Sequence, residues 1–170
     1  MKLPAALFLA ALGALPCYIE APSSLSILVK ESPVVVTGTV DAVSLEKKII
    51  ILKIAKAVKS KTTYERIRID LSVAKDWHPD AALRHAVVGT PVTVFYTLVE
   101  NTDRAAFAMV YLNRLFLKVQ AGEAAWNFLN LEVGMNKVFL GTPGELAELV
   151  AKIVSGRTKA PAPLAFGPWT

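Results

Sequence analysis

The clearest pattern in the chain lies between residues 66 and 73. There Arg66, Arg68, Asp70 and Ser72 interleave with Ile67, Ile69, Leu71 and Val73. A period of two puts the two sets on opposite faces of a β-strand, one buried and one wet. The spacing predicts a strand over 62–74. Upstream, residues 33–45 are Val-rich with Gly38 in the middle, and a glycine inside a strand marks a bulge or a sharp bend. Residues 47–59 form the next strand, after a turn at Glu46. Lys53 fits its outer face, but Lys56 is out of register with Ile50, Leu52 and Ile54. That mismatch predicts a bulge near Ala55.

Beyond residue 74 the period changes. Trp77-His78-Pro79-Asp80 opens a short helix, with Pro79 at the first helical position and Asp80 at the positive end of the dipole. Leu83, Ala86 and Val87 face inward, and Gly89 ends the turn. Strands follow over 90–100 and 105–120, separated by Asn101-Thr102-Asp103, a good turn sequence. Phe107, Met109, Tyr111, Leu115 and Leu117 make an apolar stripe on the second of them, and Trp126, Phe128 and Leu131 lie in a stretch that suits a further strand. Thr142-Pro143-Gly144-Glu145 reads as a capping box. Leu146, Leu149, Val150 and Ile153 follow at helical spacing, and Gly156 closes the helix.

Three strands, a short helix and two strands is the order of an OB-fold, a five-stranded, partly open barrel. A long first strand with a central glycine suits it, because that strand must bend to serve both sides. The expectation is a mainly β chain with α (α+β). It is an OB-like five-stranded barrel with one short helix between strands 3 and 4 and a C-terminal helix packed on it. A six-stranded barrel or a small sandwich is the alternative.

The N-terminus changes the picture. From Leu3 to Leu15 the chain reads LPAALFLAALGAL without a charge, after Lys2 and before Pro16. The run is too short for a spanning helix, which needs about 20 residues, and suits the apolar region of a signal peptide. The organisation expected is a signal peptide over 1–21, one OB-like domain with its C-terminal helix over 22–156, and a Pro-rich tail over 157–170. Within the domain, 22–32 read as a lead-in with a short apolar piece at 25–29. The localisation expected is export, periplasmic or secreted. Cys17 leaves acylation as a lipoprotein open, although Pro16 and Ala14 fit that signal poorly. It is the only cysteine among 170 residues, so no internal disulfide can form.

Two resemblances rest on particular residues. Val34-Val35-Val36-Thr37-Gly38-Thr39-Val40, followed by a basic strand, resembles exported OB domains of the netrin and tissue-inhibitor type. That resemblance implies an exported barrel. Such domains are usually tied by disulfides and some inhibit metalloproteases through an N-terminal cysteine, features this chain lacks. The stretch 126–163, with Trp126, Phe128, Phe139, Gly141, Thr142, Glu145 and Gly156, resembles a group of uncharacterised exported bacterial proteins. It implies export and fold, with no activity to carry over.

Chemistry is sparse. Asp76, His78, Asp80 and His85 lie within ten residues, and two histidines with a carboxylate are a possible metal set. The plainer reading of His78 and His85 is a helix start with surface histidines. There is no G-x-S-x-G and no glycine-rich phosphate loop. Glu100 and Asp103 form a carboxylate pair on paper, but turn carboxylates are ordinarily solvated. Nothing requires a cofactor, and a small hydrolase is the least supported reading.

Charge says more. The chain carries a net +5. Eight basic residues (Lys47, Lys48, Lys53, Lys56, Lys59, Lys61, Arg66 and Arg68) lie between 47 and 68 against one acid, Glu65. In an OB-fold they fall on strands 2 and 3, a surface that commonly binds oligonucleotides or oligosaccharides. Lys53, Lys56, Lys59, Arg66 and Arg68 form the expected ligand surface, with Tyr64 as a stacking side chain. The plainer alternative is a solvated face whose lysines discourage edge-to-edge pairing. Export disfavours nucleic acid and favours an anionic glycan, an acidic membrane surface or an acidic protein. The function expected is an exported, non-catalytic binding module. An inhibitor or accessory subunit of an exported enzyme, acting by protein–protein contact, is the second reading.

Overall fold

A computed structural model describes residues 24–74, 79–132 and 139–161. Seven strands close into a barrel: β1 (Val34–Ser44), β2 (Ile49–Lys59), β3 (Arg66–Asp70), β4 (Pro91–Leu98), β5 (Ala105–Leu112), β6 (Leu115–Ala121) and β7 (Trp126–Leu131). Their order around the barrel is β1-β2-β3-β7-β6-β5-β4, with β4 paired back to β1. Every pairing is antiparallel except β3 with β7, which run parallel. Among the described residues three helices accompany them: α1 (Leu25–Glu31), α2 (Pro79–His85) and α3 (Pro143–Val154). The chain is therefore mainly β with a few helices, and the short helix falls between the third and fourth strands.

The expectation of five strands is corrected to seven. The expected strand over 105–120 is two strands, because Asn113 and Arg114 both take positive φ, 44° and 70°, and turn the chain. A two-residue turn of that hand matches the twist of a β-hairpin. Trp126 to Leu131 supplies the seventh strand. The strand expected over 62–74 is shorter, Arg66–Asp70, because Ser72 folds back on Asp70 through its backbone N–H at 2.8 Å. The lead-in segment contains α1, whose first turn is capped by Ser24 Oγ accepting from the Ile27 N–H at 3.3 Å.

The bend in β1 has a visible cause. Thr37 pairs with Lys56 and Gly38 with Ile54, so Ala55 is the extra residue of a bulge. At that point the two backbones are so close that a Cβ on Gly38 would lie 2.0 Å from the Lys53 carbonyl oxygen. Only glycine leaves room.

Two hydrophobic clusters result. Inside the barrel, Val36, Val40, Leu52, Ile67, Ile69, Val94 and Leu117 meet, and Ala82, Leu83 and Ala86 from α2 and its C-terminal end plug one end. At the other end Tyr64, Tyr96 and Trp126 pack edge to face, with centroids 5.7–6.0 Å apart. Outside the barrel, Val35, Phe95, Tyr111 and Phe116 are covered by Leu25, Leu28 and Val29 of α1 and Leu146 and Val150 of α3. The α3 capping box forms: Thr142 Oγ1 accepts from the Glu145 N–H at 3.2 Å, and Glu145 Oε2 accepts from the Thr142 N–H at 2.6 Å. The Thr142 backbone N–H and then its hydroxyl hold the Glu145 carboxyl below the usual carboxylate range. Two side chains fasten this end to the sheet, Thr93 Oγ1 to the Pro143 carbonyl at 3.1 Å and the Tyr111 hydroxyl to the Gly141 carbonyl at 2.5 Å.

Candidate functional site

The basic residues of β2 reach one face through its bulges. In an uninterrupted strand Lys53 and Lys56 point to opposite sides, since side chains alternate. The extra residue at Ala55 turns Lys56 to the side of Lys53, where it pairs with Thr37. A second register shift between Val35 and Val36 does the same for Lys59, which pairs with Val35. Arg66 and Arg68 alternate with the buried Ile67 and Ile69, and Arg66 lies directly opposite Lys53. The outer face of the barrel thus gathers Lys53, Lys56, Arg66 and Arg68, all exposed.

Their surroundings differ. Arg66 Nε donates to Asp41 Oδ2 at 3.0 Å, so part of its charge is compensated on β1. Lys53, Lys56 and Arg68 make no ion pair among the described residues. Asp70, on the same face of β3, accepts from the Ser72 N–H and hydroxyl. Lys59 leaves the group: its Nζ donates to the carbonyls of Val29 and Ser32, each at 2.7 Å. Those carbonyls belong to the last turn and the C-cap of α1, where a cation meets the negative end of the dipole. Lys59 is thus committed to holding α1 on the barrel.

Tyr64 also sits away from the row. It is half-buried, its ring packed against Tyr96 and Trp126, and its backbone N–H donates to Thr62 Oγ1 at 3.1 Å. Thr62 in turn accepts from the Tyr96 hydroxyl, and burial raises the Tyr96 pKa. This cluster closes a barrel end. Trp126 is 5% exposed and presents no apolar patch.

His78 and Asp76 lie outside the described residues. His85 ends α2, and its Nδ1 is buried without a hydrogen-bond partner among the described residues. No three of His, Cys, Asp and Glu come together at metal-binding geometry among the described residues. Asp80, at the start of α2, stands 3.8 Å from Lys48 Nζ. Glu100 and Asp103 are exposed in the β4–β5 turn.

Sequence reasoning missed the link from Lys59 to α1. One signal was present: Ser24 as a cap, then Leu25, Leu28 and Val29 at i, i+3 and i+4, and Lys30 in the last turn. It announces a helix but not its partner.

The chain was compared with protein-family models, curated proteins and solved structures, and none of them matches it.

Proposed function

We propose that the protein is an exported, non-catalytic binding module whose enlarged OB-like barrel presents a basic face to an anionic ligand or partner. Export rests on the uncharged run from Leu3 to Leu15 behind Lys2. The OB-like reading rests on the helix between β3 and β4, the bent first strand shared by β2 and β4, and the extra β5–β6 hairpin as the enlargement. The observation that carries the function is the common outer face of Lys53, Lys56 and Arg68 beside Arg66. Two bulges in β2 bend that strand without turning its lysines inward.

An exposed row of this kind attracts anions through long-range field and short charge-assisted hydrogen bonds. Arg68 is the side chain suited to bidentate recognition of carboxylate, sulfate or phosphate. Lys53 and Lys56 add point charges along β2, a few residues apart on one strand.

The test is binding of the full chain to dextran sulfate and to phosphatidylglycerol vesicles across a salt series. Binding at ~0.15 M salt, where the screening length is about 8 Å, supports a site rather than a diffuse field. The Lys53→Glu/Lys56→Glu/Arg68→Glu variant is expected to lose that binding by tenfold or more, on the order of what several charge-assisted contacts supply. Arg66 and Lys59 are left intact because each has a structural bond. Unchanged binding by the triple variant would refute the assignment.

A further inference from the structure

Two cations of β2 each stand beside a hydroxyl. Across the β1–β2 ladder Thr39 pairs with Lys53 and Thr37 with Lys56. Directly paired side chains in a sheet start ~4.5–5.5 Å apart. Both threonines are half-buried and point outward, because Val36 and Val40, which flank them, face the interior cluster. On the other side of β2, Arg66 stands opposite Lys53 and Arg68 opposite Ile51. From the level of Ile51 to that of Lys56 the row is ~15 Å long at about 3.3 Å per residue. A single carboxylate, sulfate or phosphate group cannot reach along it. The carboxylates on the same face are engaged: Asp41 accepts from Arg66 Nε, and Asp70 accepts from Ser72. The Arg66 contact uses Nε alone, so its two terminal nitrogens keep their N–H groups for a ligand.

The composition of these strands narrows the occupant. β1, β2 and β3 contain no Phe, Tyr or Trp. Nucleic-acid bases therefore have nothing to stack on, and a protein partner finds no aromatic anchor. None of the exposed large hydrophobic residues among those described belongs to these strands. A membrane would meet charge alone, on a wall that curves away from its plane. A line of cations with hydroxyls beside them matches a polymer that carries acid groups and hydroxyls along its length. Lysine and arginine meet the acid groups through charge-assisted hydrogen bonds. Threonine hydroxyls both donate and accept, as sugar hydroxyls do.

We infer that this face binds a linear acidic polysaccharide laid along β2, its acid groups on Lys53, Lys56, Arg66 and Arg68 and its sugar hydroxyls on Thr37 and Thr39. The inference rests on the basic-face reading above and names the ligand class for it.

The experiment is calorimetric titration of the full chain at ~0.15 M salt, where a diffuse field is largely screened. The probes are a long oligogalacturonate, dextran sulfate of similar length, galacturonate monomer and polyglutamate. The two sugar polymers separate carboxylate from sulfate as the acid. Polyglutamate offers a row of carboxylates without sugar hydroxyls. At least one sugar polymer is expected to bind, with monomer and polyglutamate at least about tenfold weaker. Thr37→Val/Thr39→Val removes the hydroxyls and keeps the charges, and valine suits both strand positions. It is expected to weaken the sugar polymer about fivefold or more and to leave polyglutamate within about twofold. Arg84→Glu/Arg104→Glu, at two exposed cations on other elements, is expected to leave every affinity within about twofold. Sugar polymers no tighter than polyglutamate, monomer as tight as oligomer, or no effect of Thr37→Val/Thr39→Val would each overturn the inference while leaving the basic face as a site for another anion. Binding to phosphatidylglycerol vesicles but to neither sugar polymer would replace it with a membrane contact. If Lys53→Glu/Lys56→Glu/Arg68→Glu matches the parent with every probe, the basic-face reading itself falls, and the polysaccharide with it.

Discussion

A Cβ on Gly38 would come within 2.0 Å of the Lys53 carbonyl oxygen and 2.9 Å of its carbon. Both atoms are backbone and are tied into the β1–β2 ladder, so neither can move aside alone. Gly38→Ala is expected to cost about 2–3 kcal/mol, the upper part of the range for overpacking. Urea denaturation reads this directly, and a loss under about 0.5 kcal/mol would show that the bulge relaxes. Tyr111 offers a residue-scale prediction of another kind. Burial pushes its hydroxyl up to about 12, with Arg114 pulling it down and Glu145 pushing it up. The folded state therefore holds this proton more tightly than the unfolded chain does. The stability this contributes is complete below pH 10 and is lost as pH rises from 10 through 12. Tyr111→Phe is expected to lose about 1 kcal/mol at neutral pH with the bond to Gly141. It should then fall less steeply than the parent above pH 10. Parallel pH profiles for the two proteins would contradict this account. Gly38 was legible in the sequence because a glycine inside a Val-rich run has few other meanings. The Tyr111 environment was not, since its partner is 30 positions away.

At the scale of elements, α1 is seven residues long and too short to persist alone. It is held by Leu25, Leu28 and Val29 on the barrel and by Lys59 at its C-terminus. Lys59→Met keeps most of the side chain's length and removes the charge. It is expected to destabilise by about 1–2 kcal/mol, the value of a partly buried cation at a helix C-terminus. The loss should show locally, as faster amide exchange at Leu28 and Ser32, whose N–H groups bond Ser24 and Leu28 carbonyls. Unchanged exchange at both would mean that apolar packing alone holds α1. The α3 helix was readable to its first residue, because a capping box is complete within four positions. The β5–β6 hairpin was not. Its turn is Asn113-Arg114, and an arginine where glycine is customary conceals a left-handed turn inside an apolar run.

The described residues form a barrel with apolar side chains on both faces of part of its wall. In β1, Val36 faces the interior cluster while its neighbour Val35 faces the cluster under the helices. β4 does the same with Val94 and Phe95. The two clusters share strands, so loss of one is felt by the other. Leu146→Ala, at a fully buried position of α3, is expected to cost about 3 kcal/mol. Far- and near-ultraviolet circular dichroism should still report a single thermal transition at a lower midpoint. Two separated transitions would show that the helical cover melts independently of the barrel.

The sequence by itself determined what depends on neighbours a few positions apart. The Ile/Arg alternation of β3, the bulge near Ala55, the bend at Gly38, the helix before β4 and the α3 capping box were all readable from residues within one turn or one strand. The outward row of Lys53, Lys56, Arg66 and Arg68 follows from the same local periods once the bulge is counted. Tertiary structure alone decided the rest. The closure of β3 on β7 joins residues 57 positions apart, Ile69 and Trp126. The withdrawal of Lys59 to α1, and of Tyr64 to the barrel end, likewise joins residues distant in the chain. Such contacts depend on which strands meet, and periodicity specifies the face of a strand without specifying its partner.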